Sequence, residues 1–226
     1  LLGKPLSGQT DSKTNLRQPN IILIFMDDLG YADLSVTGHP TIQTPNIDKM
    51  ASHGQLWTSF YSASSVCSPS RGALLTGRYP IRIGLAGDKH RVFFPESIGG
   101  LPPEEITIAE TLKENGYQTG MIGKWHLGAH ISNHPLNRGF DFFYGHLGGG
   151  HRYFPEELTI EDSYSINDEP LSYRTWIMRD HQAEKTDEYL TDEFSNEAVK
   201  FVEKNKEGPF FLYLAYNAPH GPLQAT

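Results

Sequence analysis

The chain has 226 residues, a formal net charge of -8 and a single cysteine. This length fits one large domain or part of a larger one, and the charged and apolar fractions, 20% and 38%, are typical of a globular protein. The acidic balance argues against a general nucleic-acid binder, and one cysteine excludes an intrachain disulfide framework. No apolar run has membrane-spanning length, so we predict no membrane span and no nucleic-acid partner.

Residues 1–18 are polar and lack periodicity, which predicts an N-terminal arm. They contain no continuous apolar core of the kind a signal peptide needs, so any export signal is expected to have been removed already. The first core element is a strand over residues 20–26, a near-continuous apolar run of the length expected for a strand buried on both faces. It ends abruptly in Asp27 and Asp28.

The next pattern predicts a helix that starts at Pro45, is capped by Thr44 and ends at Gly54. The side chains expected on its inner face are Ile47, Met50 and Ala51. Residues 55–61, which include Leu56 and several aromatic residues, predict a short strand that leads to the cysteine.

A short helix is predicted directly after Cys67, with Ser68 as its N-cap, Pro69 at its first position and Gly77 as its stop. Cys67 would then precede the helix N-terminus, where free backbone N–H groups and the helix dipole favour negative charge. Arg71, about one turn into the helix, adds a full positive charge. The alternative is that Cys67 is simply a small buried residue.

The remaining chain repeats an alternation of helix and strand. The predicted elements are a helix near residues 107–115, a strand over 117–123, a long irregular segment over 129–180, an amphipathic helix that ends before Gly208, and an apolar strand over 210–216. The stripe of the amphipathic helix is formed by Leu190, Phe194, Ala198, Phe201 and Val202. This order predicts an α/β fold with a mostly parallel central sheet and helices on both faces.

Ligands of such sheets bind outside the carboxyl ends of the strands, and three predicted strands end in reactive residues. These are Asp27 and Asp28, then Lys124 and His126, then His220. Adjacent carboxylates suit a hard divalent cation, calcium or magnesium, better than zinc, because the sequence shows no Cys/His ligand cluster. The alternative is that Asp28 caps a turn and Asp27 is solvated.

Lys124 and His126 are two residues apart and would share one face if the strand continues. A fixed cation beside a titratable imidazole suits an anionic substrate and a proton transfer, although each residue alone is a weak signal. With Arg71 and His220 they form an island of positive charge and hydrogen-bond donors in an acidic protein, which favours an oxyanion ester as the substrate.

These residues resemble the formylglycine-dependent sulfatases of the alkaline phosphatase superfamily. The resemblance runs from about residue 19 to the end of the chain. Its motifs are the run from Cys67 to Arg71 with the trailing Leu75-Thr76-Gly77-Arg78, the segments 19–31 and 123–128, and Ala218-Pro219-His220. It implies an alkaline phosphatase-like fold and a sulfuric ester hydrolase.

The resemblance also implies roles for the site residues. Cys67 would be oxidised by a formylglycine-generating or sulfatase-maturing enzyme, and one hydroxyl of the aldehyde hydrate would attack sulfur as the alcohol leaves. The second hydroxyl would then lose its proton and the bond from carbon to the sulfate oxygen would break, which restores the aldehyde. Asp27, Asp28 and the modified Cys67 would bind Ca²⁺, with Mg²⁺ the weaker alternative. Arg71 would stabilise the hydrate, His126 would orient it, and Lys124 and His220 would bind sulfate and protonate the leaving oxygen.

The loops resemble those of bacterial sulfatases that act on polysaccharides. His90, Arg91, His151 and Arg152 are therefore predicted to bind a sulfated sugar, carrageenan-like galactose sulfate or N-acetylgalactosamine sulfate. The aromatic residues beside them could instead fill the core. Two further readings stay open: a phosphonate monoester or phosphodiester hydrolase that uses the same aldehyde, and a non-catalytic glycan-binding relative.

One departure from the family pattern concerns the length of the chain. Family members carry an Asp-Asn or similar pair and a further lysine downstream of the histidine loop, and here the sequence stops at Thr226. Residues 19–226 are therefore expected to be the N-terminal catalytic portion of a sulfatase domain, with a C-terminal portion missing. The expected location is periplasmic or secreted.

Overall fold

The fold was analysed in a computed structural model that describes residues 18–87, 92–94, 97, 99–157 and 176–226. Within these residues the helices are α1 (Pro45–His53), α2 (Cys67–Thr76), α3 (Ile108–Glu114) and α4 (Leu190–Asn205). The strands are β1 (Ile21–Asp27), β2 (Gln118–Lys124), β3 (Phe142–His146), β4 (Met178–Arg179), β5 (Gln182–Ala183) and β6 (Phe210–Pro219). The predicted sugar-binding residues His90 and Arg91 lie outside the described residues.

The described strands form a six-stranded sheet in the order β1-β6-β2-β3-β4-β5. The first four of these strands are parallel to one another, and the two-residue strands β4 and β5 extend the sheet with the antiparallel pairs β3-β4 and β4-β5. The prediction of a mostly parallel sheet is therefore confirmed. Because β6, the last strand in the chain, lies between β1 and β2, the ends of the three predicted strands become neighbours.

Helices cover both faces of the sheet. Successive strand residues point to opposite sides, so Met121 enters the hydrophobic cluster that contains residues of α2 and α3, and Ile122 enters the cluster that contains residues of α4. The predicted apolar stripe of α4 packs on this second side, with Leu190, Phe194, Ala198 and Phe201 buried. This arrangement confirms the predicted layers.

The prediction that the first strand is buried on both faces is wrong. Ile22 and Ile24 on β1 are 49% and 44% exposed, whereas Leu23 and Phe25 on the opposite face pack against the cluster beneath. β1 is the edge of the described sheet and hydrogen bonds to β6 alone. An apolar run cannot by itself distinguish a strand covered on two faces from an edge strand covered on one.

Two predictions for the segment after β1 are also wrong. Residues 55–61, all of them described, form no strand, and Trp57, Phe60 and Tyr61 are exposed. α1 has the predicted bounds, but Met50 is 64% exposed instead of facing inward. α1 is instead held by polar contacts, since Asp48 accepts hydrogen bonds from Ser35 Oγ at 2.7 Å and from the Val36 backbone N–H at 3.1 Å.

The long segment predicted to be irregular contains β3, which lies parallel to β2. The helix before β2 begins with a capping box: Thr107 Oγ1 accepts from the Glu110 N–H at 3.1 Å, and the Glu110 carboxylate accepts from the Thr107 N–H at 2.7 Å. None of the described helices combines the length and the apolar character needed to cross a membrane.

Candidate active site at the carboxyl ends of the strands

Three strand ends bring the predicted site residues together. Asp27 is the last residue of β1, Lys124 the last of β2, and His220 follows directly after β6. Gly123 makes this convergence possible: its φ is +109° and a Cβ there would collide with the Ala215 carbonyl oxygen on β6. A residue without a side chain therefore lets the two strands approach closely just before Lys124.

A buried ion cluster lies at the centre of this edge. The Asp27 carboxylate contacts Arg71 Nη2 at 3.2 Å through Oδ1, and Lys124 Nζ through Oδ2. The side chains of both cations are fully buried. Burial opposes the charged carboxylate, but the charges of Arg71 and Lys124 outweigh it and hold the pKa of Asp27 below its ordinary value. Burial and the charge of Arg71 lower the pKa of Lys124, and Asp27 opposes this shift.

The Arg71 guanidinium is fixed from several directions. Nη1 donates to the Lys124 carbonyl at 2.7 Å, and the guanidinium carbon lies 5.2 Å from the centre of the Phe25 ring. Nε is buried and has no hydrogen-bond acceptor among the described residues. An unpaired buried donor of this kind suits an additional oxyanion acceptor.

Cys67 lies at the N-terminus of α2, which starts two residues earlier than predicted. It is the first residue of the helix and follows Val66 as N-cap, so Ser68 is not the cap. Ser68 Oγ instead donates to the His126 carbonyl at 2.7 Å and accepts from the Phe93 N–H at 3.3 Å. This serine therefore ties the start of α2 to the loop after β2, and Gly77 ends the helix as predicted, with φ +66°.

The thiol of Cys67 faces the positive groups of the site. Lys124 Nζ lies 3.6 Å from Sγ. Burial raises the pKa of the Cys67 thiol, but a hydrogen bond from His220 and the charge of Lys124 outweigh this and lower it overall. The same bond raises the pKa of His220, against burial and Lys124. The site therefore stabilises negative charge on the atom that Cys67 presents to it.

His126 is placed differently from the prediction. β2 ends at Lys124 and His126 has a left-handed φ of +56°, so the two do not continue one strand face. Its Nε2–H donates to the Phe93 carbonyl at 2.9 Å, and its buried Nδ1 has no partner in the described part of the chain. Burial and the neighbouring Lys124 lower the pKa of His126 well below its ordinary range, so the ring is neutral and Nδ1 can accept a hydrogen bond.

The carboxylates fit part of a cation site. Asp28 has a 62% exposed side chain, and its Oδ2 lies 3.7 Å from His220 Nε2. A calcium ion takes six to eight oxygen ligands, of which Asp27 and Asp28 would supply a fraction. The expectation that no Cys/His cluster exists is wrong, because ligand atoms of Asp27, Cys67 and His220 all lie within 4.8 Å of one another. The sequence separation of these three residues hid this cluster.

A cleft of about 680 Å³ opens beside these groups. Its lining includes Asp27, Asp28, Cys67 and Ser70 together with the aromatic residues Phe25, Tyr31, Phe60 and Tyr61. The predicted sugar-binding residue His151 is buried, its ring 5.2 Å from that of His146, and Arg152 is partly exposed beside it. Phe60 and Tyr61, which the sequence predicts to lie in a strand, therefore line the cleft as exposed side chains.

Sequence reasoning missed His146. It lies opposite Lys124 in the register between β2 and β3, is fully buried, and has no hydrogen-bond partner on either ring nitrogen among the described residues. Burial and the nearby His151 lower its pKa well below the ordinary value. The available signal was its position, since it ends an aromatic five-residue run typical of a strand.

A parallel sheet with carboxylates, buried cations and a polarised cysteine at its carboxyl edge defines an α/β protein with an anion-binding site. Residues 19–226 match the family model for sulfatases, and the chain belongs to the sulfatase family. It is 41% identical over 225 residues to N-acetylgalactosamine-6-sulfatase of Canis lupus familiaris, covering 92% of this chain and 41% of the relative. It is 40% identical over 230 residues to an arylsulfatase of Hemicentrotus pulcherrimus, covering 94% and 39%.

Solved structures agree on the fold. Ps i-CgsB in complex with k-i-k-neocarrahexaose superposes with a TM-score of 0.83 at 46% identity, covering 93% of this chain and 47% of that one. The PsFucS1 sulfatase from Pseudoalteromonas sp. gives a TM-score of 0.68 at 30% identity, with 91% and 45% covered. The chain has the alkaline phosphatase-like fold of these sulfatases, and it spans less than half the length of these relatives.

Proposed function

We propose that the full-length protein hydrolyses sulfate esters with a formylglycine formed from Cys67. The observation that carries this proposal is the position of the single cysteine at the first residue of α2, 3.6 Å from the buried Lys124 and within the Asp27, Cys67 and His220 cluster. The N-terminus of α2 and the neighbouring cations together favour an oxyanion at this position. Once Cys67 is converted, its aldehyde hydrate supplies the nucleophilic oxygen.

The buried cations have two tasks in this proposal. Arg71 is fixed by the Lys124 carbonyl and the Phe25 ring, and its positive charge favours negative charge on the residue at position 67. Lys124 reaches both Asp27 and position 67, so its ammonium can bind a sulfate oxygen without reorientation. Such fixed donors stabilise charge that develops in the transition state because they need no reorganisation.

The two histidines differ in exposure and therefore in role. His220 is partly exposed, with Nε2 3.7 Å from Asp28 Oδ2, so its imidazole can exchange protons with solvent and donate one to the leaving alcohol oxygen. His126 is buried, neutral and held by the Phe93 carbonyl, so its Nδ1 can only accept a hydrogen bond. We assign proton donation to His220, together with Lys124, and orientation of the nucleophile to His126.

Asp27 and Asp28 are proposed to hold a divalent cation, calcium by preference. Their adjacent carboxylates at a strand end, with an oxygen from the converted position 67, match the oxygen ligands of a hard cation, and magnesium is the weaker alternative. When bound, this cation would supply further positive charge beside the reacting group. The remaining oxygen ligands would come from the portion of the longer relatives that this chain does not span.

The proposed substrate is a sulfated sugar. One relative is named N-acetylgalactosamine-6-sulfatase, and the structural neighbour Ps i-CgsB was solved in complex with k-i-k-neocarrahexaose. Phe60 and Tyr61 line the cleft and can stack on sugar rings. We propose His90, Arg91, His151 and Arg152 as further sugar contacts. The proposed substrates are carrageenan-like galactose sulfate or N-acetylgalactosamine sulfate.

The same proposal includes a formylglycine-generating or sulfatase-maturing enzyme as a partner, a further C-terminal portion of the protein, and a periplasmic or secreted location.

The test compares reactions and variants in the full-length protein. We expect a sulfate monoester to be hydrolysed faster than matched phosphodiester and phosphonate monoester substrates, and His220→Ala to lower kcat by about 10²- to 10⁴-fold through loss of the proton donor. His53→Ala, on the exposed end of α1, is the matched control and should leave the rate unchanged. Preference for the phosphodiester would favour the alternative hydrolase, and binding of sulfated glycan without turnover would favour the non-catalytic relative.

A further inference from the structure

We propose that the unconverted chain, with Cys67 still a thiol, is a zinc-binding protein whose ligands are Cys67 Sγ, His220 Nε2 and an Asp27 carboxylate oxygen. These three side chains offer sulfur, nitrogen and oxygen from one compact cluster, the donor set that zinc prefers in proteins. The site overlaps the proposed calcium site but uses His220 instead of relying on oxygen ligands alone. It does not depend on sulfatase turnover.

The distances suit a small inward movement of the ligands. The three ligand atoms lie within 4.8 Å of one another. A tetrahedral zinc ion with bonds of about 2.0–2.3 Å brings its ligand atoms to about 3.3–3.8 Å from one another. Cys67 and His220 are both partly exposed and lie at a helix start and after a strand end, so their side chains can move by this amount.

The imidazole of His220 is already oriented as a ligand. Its Nδ1 lies 2.8 Å from the Gly221 carbonyl oxygen, and because a carbonyl only accepts, Nδ1 carries the hydrogen. In the neutral ring this leaves the lone pair on Nε2, the atom that faces Asp28 at 3.7 Å. Histidines that bind metals commonly donate their second N–H to a backbone carbonyl in this way.

The charges around the cluster leave room for a divalent ion. A Cys67 thiolate with Asp27 and Asp28 outnumbers the two cations, Lys124 and Arg71, that contact Asp27. Water can supply the fourth ligand, because Cys67 and His220 are both partly exposed. Lys124 and Arg71 weaken the attraction for any cation, and the bonds that zinc forms to sulfur and imidazole nitrogen compensate in a way that calcium cannot match.

A consequence follows for maturation. Conversion of Cys67 to an aldehyde removes the sulfur ligand and replaces it with oxygen, which changes the preferred ion from zinc to a hard cation. This last step relies on the proposed function, whereas the zinc site of the thiol form does not. Conversion of one residue would therefore set which metal the same carboxylate binds.

The experiment uses the full-length protein from a host without the maturation enzyme, stripped of metal and titrated with Co²⁺ as a spectroscopic probe for zinc. We expect one cobalt ion per chain with a sulfur-to-cobalt charge-transfer band in the near ultraviolet, displaced by Zn²⁺. Cys67→Ser should lose the band, and His220→Ala should weaken cobalt binding by about tenfold or more. His53→Ala, the same change at an exposed histidine, should alter neither.

A second measurement needs no variant and so does not depend on the folding of one. Saturating Zn²⁺ should slow alkylation of the Cys67 thiol by about tenfold or more, while Ca²⁺ should leave its rate nearly unchanged. Absence of the sulfur band at full cobalt occupancy, or alkylation that Zn²⁺ does not slow, would overturn the zinc site. Neither result would bear on hydrolysis by converted protein, which is assayed separately.

Discussion

The carboxyl edge of the sheet and the surface around β1 are organised in opposite ways. At the edge, Asp27, Arg71 and Lys124 are charged, buried and paired within the described chain. Around β1, the apolar side chains of Ile22, Ile24, Phe60 and Tyr61 are exposed; we name these four the β1 surface. The comparison shows that the charged centre of the site depends on partners in this chain, whereas described residues leave the β1 surface uncovered.

The physical reason lies in the free energies involved. An unpaired charge in the interior is costly enough that it must find a partner or lose its charge. An exposed isoleucine forgoes only the gain from burial, about 25 cal/mol for each Å². Removing one charge from the buried ion cluster should therefore lower the free energy of unfolding strongly. Shortening an exposed aliphatic side chain of the β1 surface should lower it much less.

The largest effect is expected at Asp27. Asp27→Asn leaves Lys124 and Arg71 buried without their counter-charge and should lower the free energy of unfolding of the full-length protein by about 3–5 kcal/mol. Asp28→Asn, at an exposed neighbour, should change it by about 0.5 kcal/mol or less. Denaturant unfolding of both variants measures the contrast. Equal losses would mean that the buried ion cluster does not stabilise the fold.

A smaller contrast is expected between two aliphatic side chains. Leu214→Ala on the central strand β6, where the leucine is buried, should lower the free energy of unfolding by about 2–5 kcal/mol. Ile24→Ala on β1, where the side chain is 44% exposed, should lower it by about 1 kcal/mol. A loss at Ile24 as large as that at Leu214 would show that another part of the full-length protein covers the β1 surface.

Substitution of two glycines with similar φ values can distinguish the cost of backbone strain from the cost of a steric clash between an added Cβ and a neighbouring strand. Gly38 and Gly123 have φ values of +104° and +109°, but only Gly123 faces a backbone atom, the Ala215 carbonyl oxygen. Gly38→Ala should cost about 1 kcal/mol of stability from strain, and Gly123→Ala about 1–3 kcal/mol more, because β2 must move from β6. Thermal unfolding of both variants checks this. Equal shifts would contradict the close approach of these strands.

The smallest effect concerns the thiol of unconverted protein. Because a hydrogen bond from His220 and the charge of Lys124 lower the pKa of Cys67 despite its burial, its alkylation rate should reach half of its maximum below pH 9.0, the ordinary value. Lys124→Met should move this midpoint to higher pH, and Lys113→Met, at a surface lysine, should not. A midpoint at or above the ordinary value would contradict the polarised thiol.

Several features of the fold and site were predictable from the sequence. Helix α4 has an unbroken apolar stripe and charged residues on its other side, so its period alone predicts it. The convergence of Asp27, Lys124 and His220 followed from the rule that parallel strands end at one edge of the sheet. The first prediction depends only on the local sequence, and the second depends only on the parallel order of the strands.

Other features depend on contacts between distant parts of the chain. The exposure of Ile22 and Ile24 follows from the edge position of β1, which an apolar run does not reveal. Ser68 has an ideal capping side chain, but its hydroxyl bonds to the His126 carbonyl, 58 residues away, and the helix starts two residues earlier than predicted. His146 belongs to a short strand set among glycines, so its burial beside the site was hidden until the register of β2 and β3 was known.

The mass of the tryptic peptide that contains Cys67 tests the central claim most directly. In full-length protein produced with a formylglycine-generating enzyme, position 67 should carry formylglycine, and the converted fraction should rise in step with sulfate-ester turnover. Protein from a host without that enzyme should keep the thiol and be inactive. An unmodified cysteine throughout protein that hydrolyses sulfate esters at full rate would contradict the proposed mechanism.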